Sequence, residues 1–440
     1  MLTSAAPDQS PGFVRGGVGL GGLARRARVG VLYALCGSLA LYPLLEQFIV
    51  PVLGLSFLLA ASSVLARVVR SGFAVPRSFI WAIWGIYGTL YGVWFGIALM
   101  HGNPIAYITQ DAFGFLLYLS AMPVLFLYVH DHQLQKNLFR FIEGCSLTIG
   151  TLSVLLVAGF YIVFGEITDE SMFGINLFLR SLGLSWFVDH NNGLLGLYTN
   201  TAHLMLLGSA LALHRLSQRY RHRDMLLVLL YLVGMFLDGR RALVITALLQ
   251  LLIVSPPLLM RLRPNQRFLL VTGAVVASAL LVLANLDWIE KRYTLTSDED
   301  ISTEARQAQI PPLLDKIAEN PVFGGGFGTV ASMLRSDVRP YSYEVDFLAT
   351  LMKLGLLGGT IYFGTYLWML GYAGRNRGSF GRFVVSAGVP FFFYMGANGN
   401  QAMSTDSAVF HIFIFLMIAY SRPQPARGTL VPPAERPATP

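Results

Sequence analysis

Two adjacent arginines, Arg240 and Arg241, lie in the short gap between apolar runs at residues 225–237 and 242–259. Guanidinium groups are costly to place at the surface of a bilayer, and they form strong paired hydrogen bonds with phosphate oxygens. We therefore predict that at least one of the two binds a diphosphate, with Asp238 neutralising the other. The alternative is that both reach toward lipid headgroups.

Two carboxylates, Glu344 and Asp346, precede a later apolar run. Residues two apart on one helix point to different faces, so at most one is expected to face a shared site. Each could act as a general base, pair with an arginine, or stabilise the start of a helix through its dipole. These three alternatives stay open at this stage.

The histidines give no sign of a metal site. They lack the i, i+4 spacing and neighbouring carboxylates of a ligand set, so neither a metal nor a cofactor is predicted. Phosphate-loop, dinucleotide and nucleophile-elbow motifs are also missing from the sequence. The four histidines on or near the external half of the predicted spans are His101, His190, His203 and His411.

The composition is that of an integral membrane protein. The chain of 440 residues is 54% hydrophobic and 13% charged, against roughly 25% charged in a soluble domain, and its mean hydropathy is +0.57. Apolar runs near the ~20 residues that cross a bilayer recur along the chain. We predict an all-α polytopic fold of about twelve transmembrane helices. They are placed at residues 29–48, 50–66, 79–99, 112–129, 147–165, 194–213, 224–238, 242–260, 268–286, 347–372, 383–397 and 405–421.

The basic residues indicate the orientation of these spans. Of the 32 Lys and Arg, 22 fall on one set of alternating loops, which the positive-inside rule makes cytoplasmic. The net charge of +8 is then explained by anionic membrane lipid, so nucleic acid is not an expected partner. The other ten basic residues lie in three external regions and include Arg180, Arg240, Arg241, Arg292 and Arg306.

The larger external loop has a helical pattern at residues 304–319, followed by a turn and a glycine cluster at 324–326 and 328. The segment resembles the bacterial O-antigen ligase and polymerase family, in which an arginine, here Arg306, leads to an "NPxFGxGFG" element and a "GLLG" span start. Residues 320–328 and 355–358 match those elements. The pair Gly239–Arg240 resembles the family's serine-arginine element, and residues 196–202 resemble its weaker "GLfxNPNxxA" element.

One departure from the family pattern bears on the reaction. Ligases of this family carry a histidine and an asparagine before the "GLLG" span, where this sequence has Tyr343 and Glu344. The departure favours a polymerase over a ligase, although a carboxylate can also accept a proton. An O-antigen ligase or oligosaccharyltransferase is the alternative. A flippase or transporter ranks lower, because most charges lie at span ends and in loops.

The resemblance implies a GT-C-like, inverting, metal-independent glycosyltransferase of the bacterial inner membrane. Undecaprenyl-diphosphate-linked glycan would be donor and acceptor, and a chain-length regulator protein would be a partner. Arg240 and Arg306 are the first candidates for stabilising the leaving diphosphate, followed by Arg241, Arg180 and Arg292, and Glu344 or Asp346 would accept the proton. The expected layout is a cytoplasmic tail (1–28), nine spans (29–286) with an external loop (166–193), a periplasmic loop (287–346), three spans (347–421) and a cytoplasmic tail (422–440).

Overall fold

The computed structural model describes residues 20–41, 46–71, 79–164, 168–181, 187–191, 194–199, 201–238, 240–259, 264–265, 301–334, 339–376, 378–397 and 404–420. Helices dominate these ranges, as predicted. The predicted span at 268–286, Arg292 and both predicted tails from 1–19 and 422–440 lie outside the described residues.

The first half of the chain forms seven helices and a hairpin. The helices are α1 (Leu20–Leu41), α2 (Glu46–Ser71), α3 (Phe79–Met100), α4 (Ile105–Asp111), α5 (Phe113–Tyr128), α6 (His132–Phe164) and α7 (Asp169–Ser181). Strands β1 (Phe187–Asn191) and β2 (Leu194–Tyr198) pair antiparallel, with Phe187 opposite Tyr198.

The described residues of the second half form seven further helices. They are α8 (Leu204–Gln218), α9 (His222–Leu237), α10 (Arg241–Leu259), α11 (Ile301–Glu319), α12 (Asp346–Asn376), α13 (Gly378–Ala397) and α14 (Thr405–Tyr420). Helix α11 confirms the helical pattern predicted at 304–319. Helix α12 packs along α13, and α13 also packs against α8 and α10.

Some of these helices are long and apolar enough to cross a membrane. Within the described residues, four helices are long and apolar enough to cross a membrane, or five if the pair α4–α5, bent by 47°, is one span. Three further apolar helices are shorter, at residues 242–254, 380–395 and 407–420. The structure therefore supports a multi-pass membrane protein, and the count of twelve spans stays a prediction.

One predicted span is partly wrong. Residues 194–198 form strand β2, and helix α8 begins only at Leu204. A short apolar run such as Leu194–Tyr198 is compatible with either a strand or a buried helix, since its periodicity does not separate the two. Pairing with β1 decides in favour of the strand.

Candidate functional site

Arg240 is held in the junction between α9 and α10 by groups on three sides. Its Nη1 donates to the hydroxyl of Tyr394 at 2.7 Å, and its Nε lies 3.4 Å from Oδ1 of Asp238. The guanidinium carbon also lies 5.8 Å from the ring centre of Tyr198. With 8% of the residue exposed, Arg240 has one well-defined position, as a preorganised anion-binding group requires.

Asp238 is fixed in turn by Thr199, directly after strand β2. The backbone N–H and the hydroxyl of Thr199 donate to Oδ2 of Asp238 at 2.9 Å and 3.1 Å. Asp238 is fully buried, so its carboxylate depends on these two donors and on the Arg240 guanidinium for stabilisation. The hairpin thus positions the carboxylate that positions Arg240.

This geometry corrects the expected partner of Asp238. The sequence predicted that Asp238 neutralises one of the two arginines. Once Arg240 matched the family element, the expected partner of Arg241 was either Asp238 or a lipid phosphate. The structure instead places Asp238 against Arg240, whose charge it compensates. The backbone of Arg241 begins α10, and its side chain lies outside the described set.

Arg306, on α11, forms a second arginine–carboxylate pair. Its Nε donates to Oε2 of Glu344 at 2.9 Å. The backbone N–H of Glu344 donates to Oε1 of Gln309, one turn further along α11, at 2.7 Å. Arg306 and Glu344 keep 38% and 19% of their side chains exposed, so a ligand can compete for the guanidinium here more easily than at Arg240.

The two arginines lie at the same end of the helix bundle. Helix α12 begins at Asp346, two residues after Glu344, and the ring of Phe347 lies 5.5 Å from that of Phe392 on α13. Tyr394, which accepts the hydrogen bond from Arg240, is two residues further along α13. The start of α12 and the end of α13 therefore connect the surroundings of Arg306 to those of Arg240.

The glycine cluster, defined here as Gly324, Gly325, Gly326 and Gly328, fills a break in α12. Gly324, Gly326 and Gly328 have positive φ, as does Gly355 inside α12. The N–H groups of Gly325 and Gly326 donate to the carbonyls of Met352 and Lys353 at 3.0 Å and 2.9 Å. The loop thereby satisfies backbone carbonyls that the break would leave without helical partners.

Residues near α3 and α4 complete the socket around this loop. The side-chain amide of Asn103 donates to the carbonyls of Gly325 and Phe327, both at 2.9 Å, and the indole of Trp94 donates to Phe323 at 2.7 Å. A Cβ on Gly326 would lie 2.4 Å from the backbone nitrogen of Ala98. The cluster therefore has a packing role.

A buried ion pair lies beneath the glycine cluster. Lys353 Nζ lies 2.7 Å from Oδ1 of Asp111, and Oδ2 of Asp111 accepts the N–H of Gly328 at 2.7 Å. Both side chains are almost completely buried. One carboxylate thus ties α12 and the glycine cluster to the end of α4, and fixes the start of α12 where Glu344 and Asp346 lie.

The remaining candidates have different environments. Arg180 is exposed in the last turn of α7. Asp346 is the first residue of α12 and is 2% exposed, so it lies at the positive end of the helix dipole. Glu344 precedes the helix, which corrects the picture of two acids on different faces of one helix. Of the two, Glu344 is the more accessible proton acceptor.

Tyr343 occupies the place of the family's histidine, but it is fully buried. Its hydroxyl accepts the N–H of Ala331 at 2.6 Å. Burial raises the pKa of the Tyr343 phenol, so it stays neutral and packs the loop against α12. Tyr198 and Thr199 lie inside the predicted element at residues 196–202, but the sequence did not predict their contacts with Arg240 and Asp238. Tyr394 was not predicted, since no local pattern marks a side chain that holds a distant arginine.

Helices of spanning length and two arginine–carboxylate pairs at one end define a multi-pass membrane protein with a candidate anion site. No cluster of three or more His, Cys, Asp or Glu side chains occurs in the part of the chain that the structure describes. Residues 226–363 match the family model described as O-antigen ligase. The predicted resemblance is confirmed for that segment, which contains Arg240, Arg306 and Glu344.

The family match supports a glycosyltransferase-like enzyme of the O-antigen ligase or polymerase type. A comparison with curated proteins finds no significant match.

Proposed function

We propose that the protein polymerises polyprenyl-diphosphate-linked oligosaccharide repeat units on the periplasmic face of the bacterial inner membrane. The observation that carries the proposal is the placement of Arg240 and Arg306, both inside the segment that matches the O-antigen ligase family model, at one end of the helix bundle. Guanidinium groups at fixed positions can stabilise a leaving diphosphate without a metal ion.

The two arginines have different tasks. Arg240, fixed by Asp238 and Tyr394, is the permanent part of the diphosphate site, because little reorganisation is needed when charge builds on the leaving oxygen. Arg306 is exchangeable: its partner Glu344 is partly exposed, and the donor diphosphate replaces that carboxylate. Arg241, Arg180 and Arg292 are further proposed contacts for the diphosphate.

This exchange releases a base when the donor binds. A hydroxyl of the acceptor glycan attacks the anomeric carbon from the side opposite the diphosphate, so the new C–O bond forms as the bond to the diphosphate breaks. Inversion at that carbon follows. The hydroxyl proton passes to Glu344, freed from Arg306, or to Asp346 as the alternative acceptor.

The departure from the family's histidine, whose place Tyr343 occupies, favours polymerisation over ligation. The ligase alternative, transfer of the glycan to lipid A core or protein, is favoured by the description of the matching family model. Both share the donor and the diphosphate site, and they differ in the acceptor. A chain-length regulator is the proposed protein partner for the polymerase.

The decisive experiment incubates purified protein in detergent with a lipid-linked repeat unit and no nucleotide. Growth of a product ladder is expected, and transport cannot produce that signal. Product that appears only after lipid A core is added would replace polymerisation with ligation. If folded protein transfers glycan to neither acceptor, both polymerisation and ligation are refuted.

Variants at Arg240 and Glu344 test, in the same assay, the diphosphate contact and the proton acceptor. Arg240→Ala should abolish long-chain product in protein that inserts normally, whereas Arg140→Ala, an exposed arginine on α6, should leave the ladder unchanged. Glu344→Gln should slow turnover strongly. Unchanged turnover in the Gln variant would remove Glu344 as the proton acceptor and leave Asp346.

A further inference from the structure

A second basic site lies at the opposite end of the bundle from Arg240. Helix α5 connects the two ends: Asp111, under the glycine cluster, precedes it, and Tyr128 ends it. Sixteen residues at about 1.5 Å per residue separate the ends by roughly 24 Å. The positive-inside pattern predicts that this second end is cytoplasmic.

The site is a cavity of about 360 Å³ between α1, α2 and the end of α5. Its volume falls within the ~300–1,000 Å³ of small-molecule sites. Four of its lining residues carry a cationic or titratable nitrogen. These four are Arg28, Arg67, Arg70 and His130, and Ala66 and Tyr128 also line the cavity.

Hydrogen bonds to the backbone hold the walls of this cavity in place. Nη2 of Arg67 donates to the carbonyl of Leu127 near the end of α5. The hydroxyl of Tyr128 donates to the carbonyl of Arg28 on α1 at 2.9 Å. Each bond joins two different helices, so the walls of the cavity are fixed relative to one another, and the Arg67 side chain has a defined position in it.

The cavity has an excess of positive charge. Asp131 is the carboxylate beside it, with Oδ2 at 3.7 Å from Nη1 of Arg28 and 4.0 Å from Nε2 of His130. Arg67 and Arg70 enter the same cavity from α2. Three guanidinium groups around a space of this size match the charge and geometry of a phosphate group.

The surface beside the cavity favours a lipid phosphate over free phosphate. Leu59 and Leu55 lie two and three turns before Arg67 on the face of α2 that lines the cavity, and they are 49% and 62% exposed. In a membrane this apolar face of α2 contacts acyl chains. A phospholipid can place its phosphate among the arginines while its chains lie along α2, whereas a free phosphate gains nothing from that face.

We propose that the cavity binds the phosphate headgroup of an anionic phospholipid at the membrane surface opposite the glycosyl-transfer site. The proposal does not depend on the proposed function. It identifies a lipid site that is separate from Arg240 and Arg306, with Arg67 and Arg70 as its main contacts.

Native mass spectrometry of the purified full-length protein tests this site. Phosphatidylglycerol and phosphatidylcholine with identical acyl chains are added to the detergent solution, and retained lipid is counted for each variant. Phosphatidylglycerol should be retained preferentially. The double variant Arg67→Gln/Arg70→Gln should lower its retention about tenfold or more, the effect of losing charge-assisted hydrogen bonds. Arg140→Gln, an exposed arginine outside the cavity, should change retention less than about twofold.

A second variant covers the case in which loss of the Arg67–Leu127 bond unfolds the protein. Ala66→Glu places a carboxylate in the cavity and leaves that bond intact, and it should reduce phosphatidylglycerol retention to the level of phosphatidylcholine. Unchanged retention in folded Ala66→Glu would overturn the proposal. Displacement of phosphatidylglycerol by millimolar inorganic phosphate would also overturn it, since the site would then take free phosphate.

Discussion

Lys353 and Asp111 are 242 positions apart in sequence, and their side chains form an ion pair 2.7 Å long beneath the glycine cluster. The same Asp111 accepts the N–H of Gly328. This contact places the start of α12, and with it Glu344, relative to α4. The position of the proposed proton acceptor therefore depends on a pair that takes no direct part in the chemistry.

Breaking that pair should strongly destabilise the protein. Lys353→Met leaves the buried carboxylate of Asp111 without its cation, and we expect the free energy of unfolding to fall by about 3–5 kcal/mol. Tryptophan fluorescence during heating in detergent measures this as a lower melting temperature. The matched control is Lys316→Met, which removes an exposed pair with Glu319 and should cost less than about 1 kcal/mol. Equal melting temperatures for the two variants would contradict the anchoring role of Asp111.

Gly326 should not tolerate a side chain. Its φ is +80° and an added Cβ would lie 2.4 Å from the backbone nitrogen of Ala98, so Gly326→Ala should lower stability by at least about 1–3 kcal/mol. Gly364 is the comparison, because it lies inside α12 and a Cβ there meets nothing within 4 Å. Gly364→Ala should be neutral or slightly stabilising. Thermal unfolding of both proteins checks the pair, and a stable Gly326→Ala would mean that the loop can move away from α3.

Tyr394 should act on turnover through Arg240. Tyr394→Phe removes the hydroxyl that accepts the Arg240 hydrogen bond and retains the ring. Under the proposed function, turnover on lipid-linked repeat should fall about tenfold or more, since a hydrogen bond to a charged group contributes about 1.5–3 kcal/mol. The control is Tyr33→Phe, whose hydroxyl lies 3.5 Å from Asn137 on α6. A role limited to packing would leave turnover of Tyr394→Phe at the control level.

Replacement of Arg306 should abolish activity and leave stability almost unchanged. Its pair with Glu344 is partly exposed, so Arg306→Ala should change the free energy of unfolding by no more than about 1 kcal/mol. Product formation should nevertheless be lost, because no other group on α11 replaces the guanidinium at the diphosphate. Lys316→Ala on the same helix should preserve both properties. Arg306→Ala protein that still forms a full ladder would exclude Arg306 from the site.

Much of the helical architecture could be predicted because hydropathy is a local property of the chain. The predicted span at 79–99 agrees with α3 (Phe79–Met100), and the predicted gap around Arg240 agrees with the junction of α9 and α10. The prediction failed at 194–203, where a short apolar run pairs with a neighbouring strand. There the preference of the segment itself does not separate strand from helix.

The sequence by itself determined the class of the protein, the identity of its candidate arginines and the similarity of residues 226–363 to the O-antigen ligase family. Apolar run length, charge and motif spacing carry that information locally. Only the tertiary structure decided the partners: Tyr394 and Asp238 for Arg240, Glu344 for Arg306, and Asp111 for Lys353. These contacts mostly join residues far apart in the chain. The pairs at Arg240 and Lys353 form because buried charges require a partner, and the packing of the helices decides which partner is within reach.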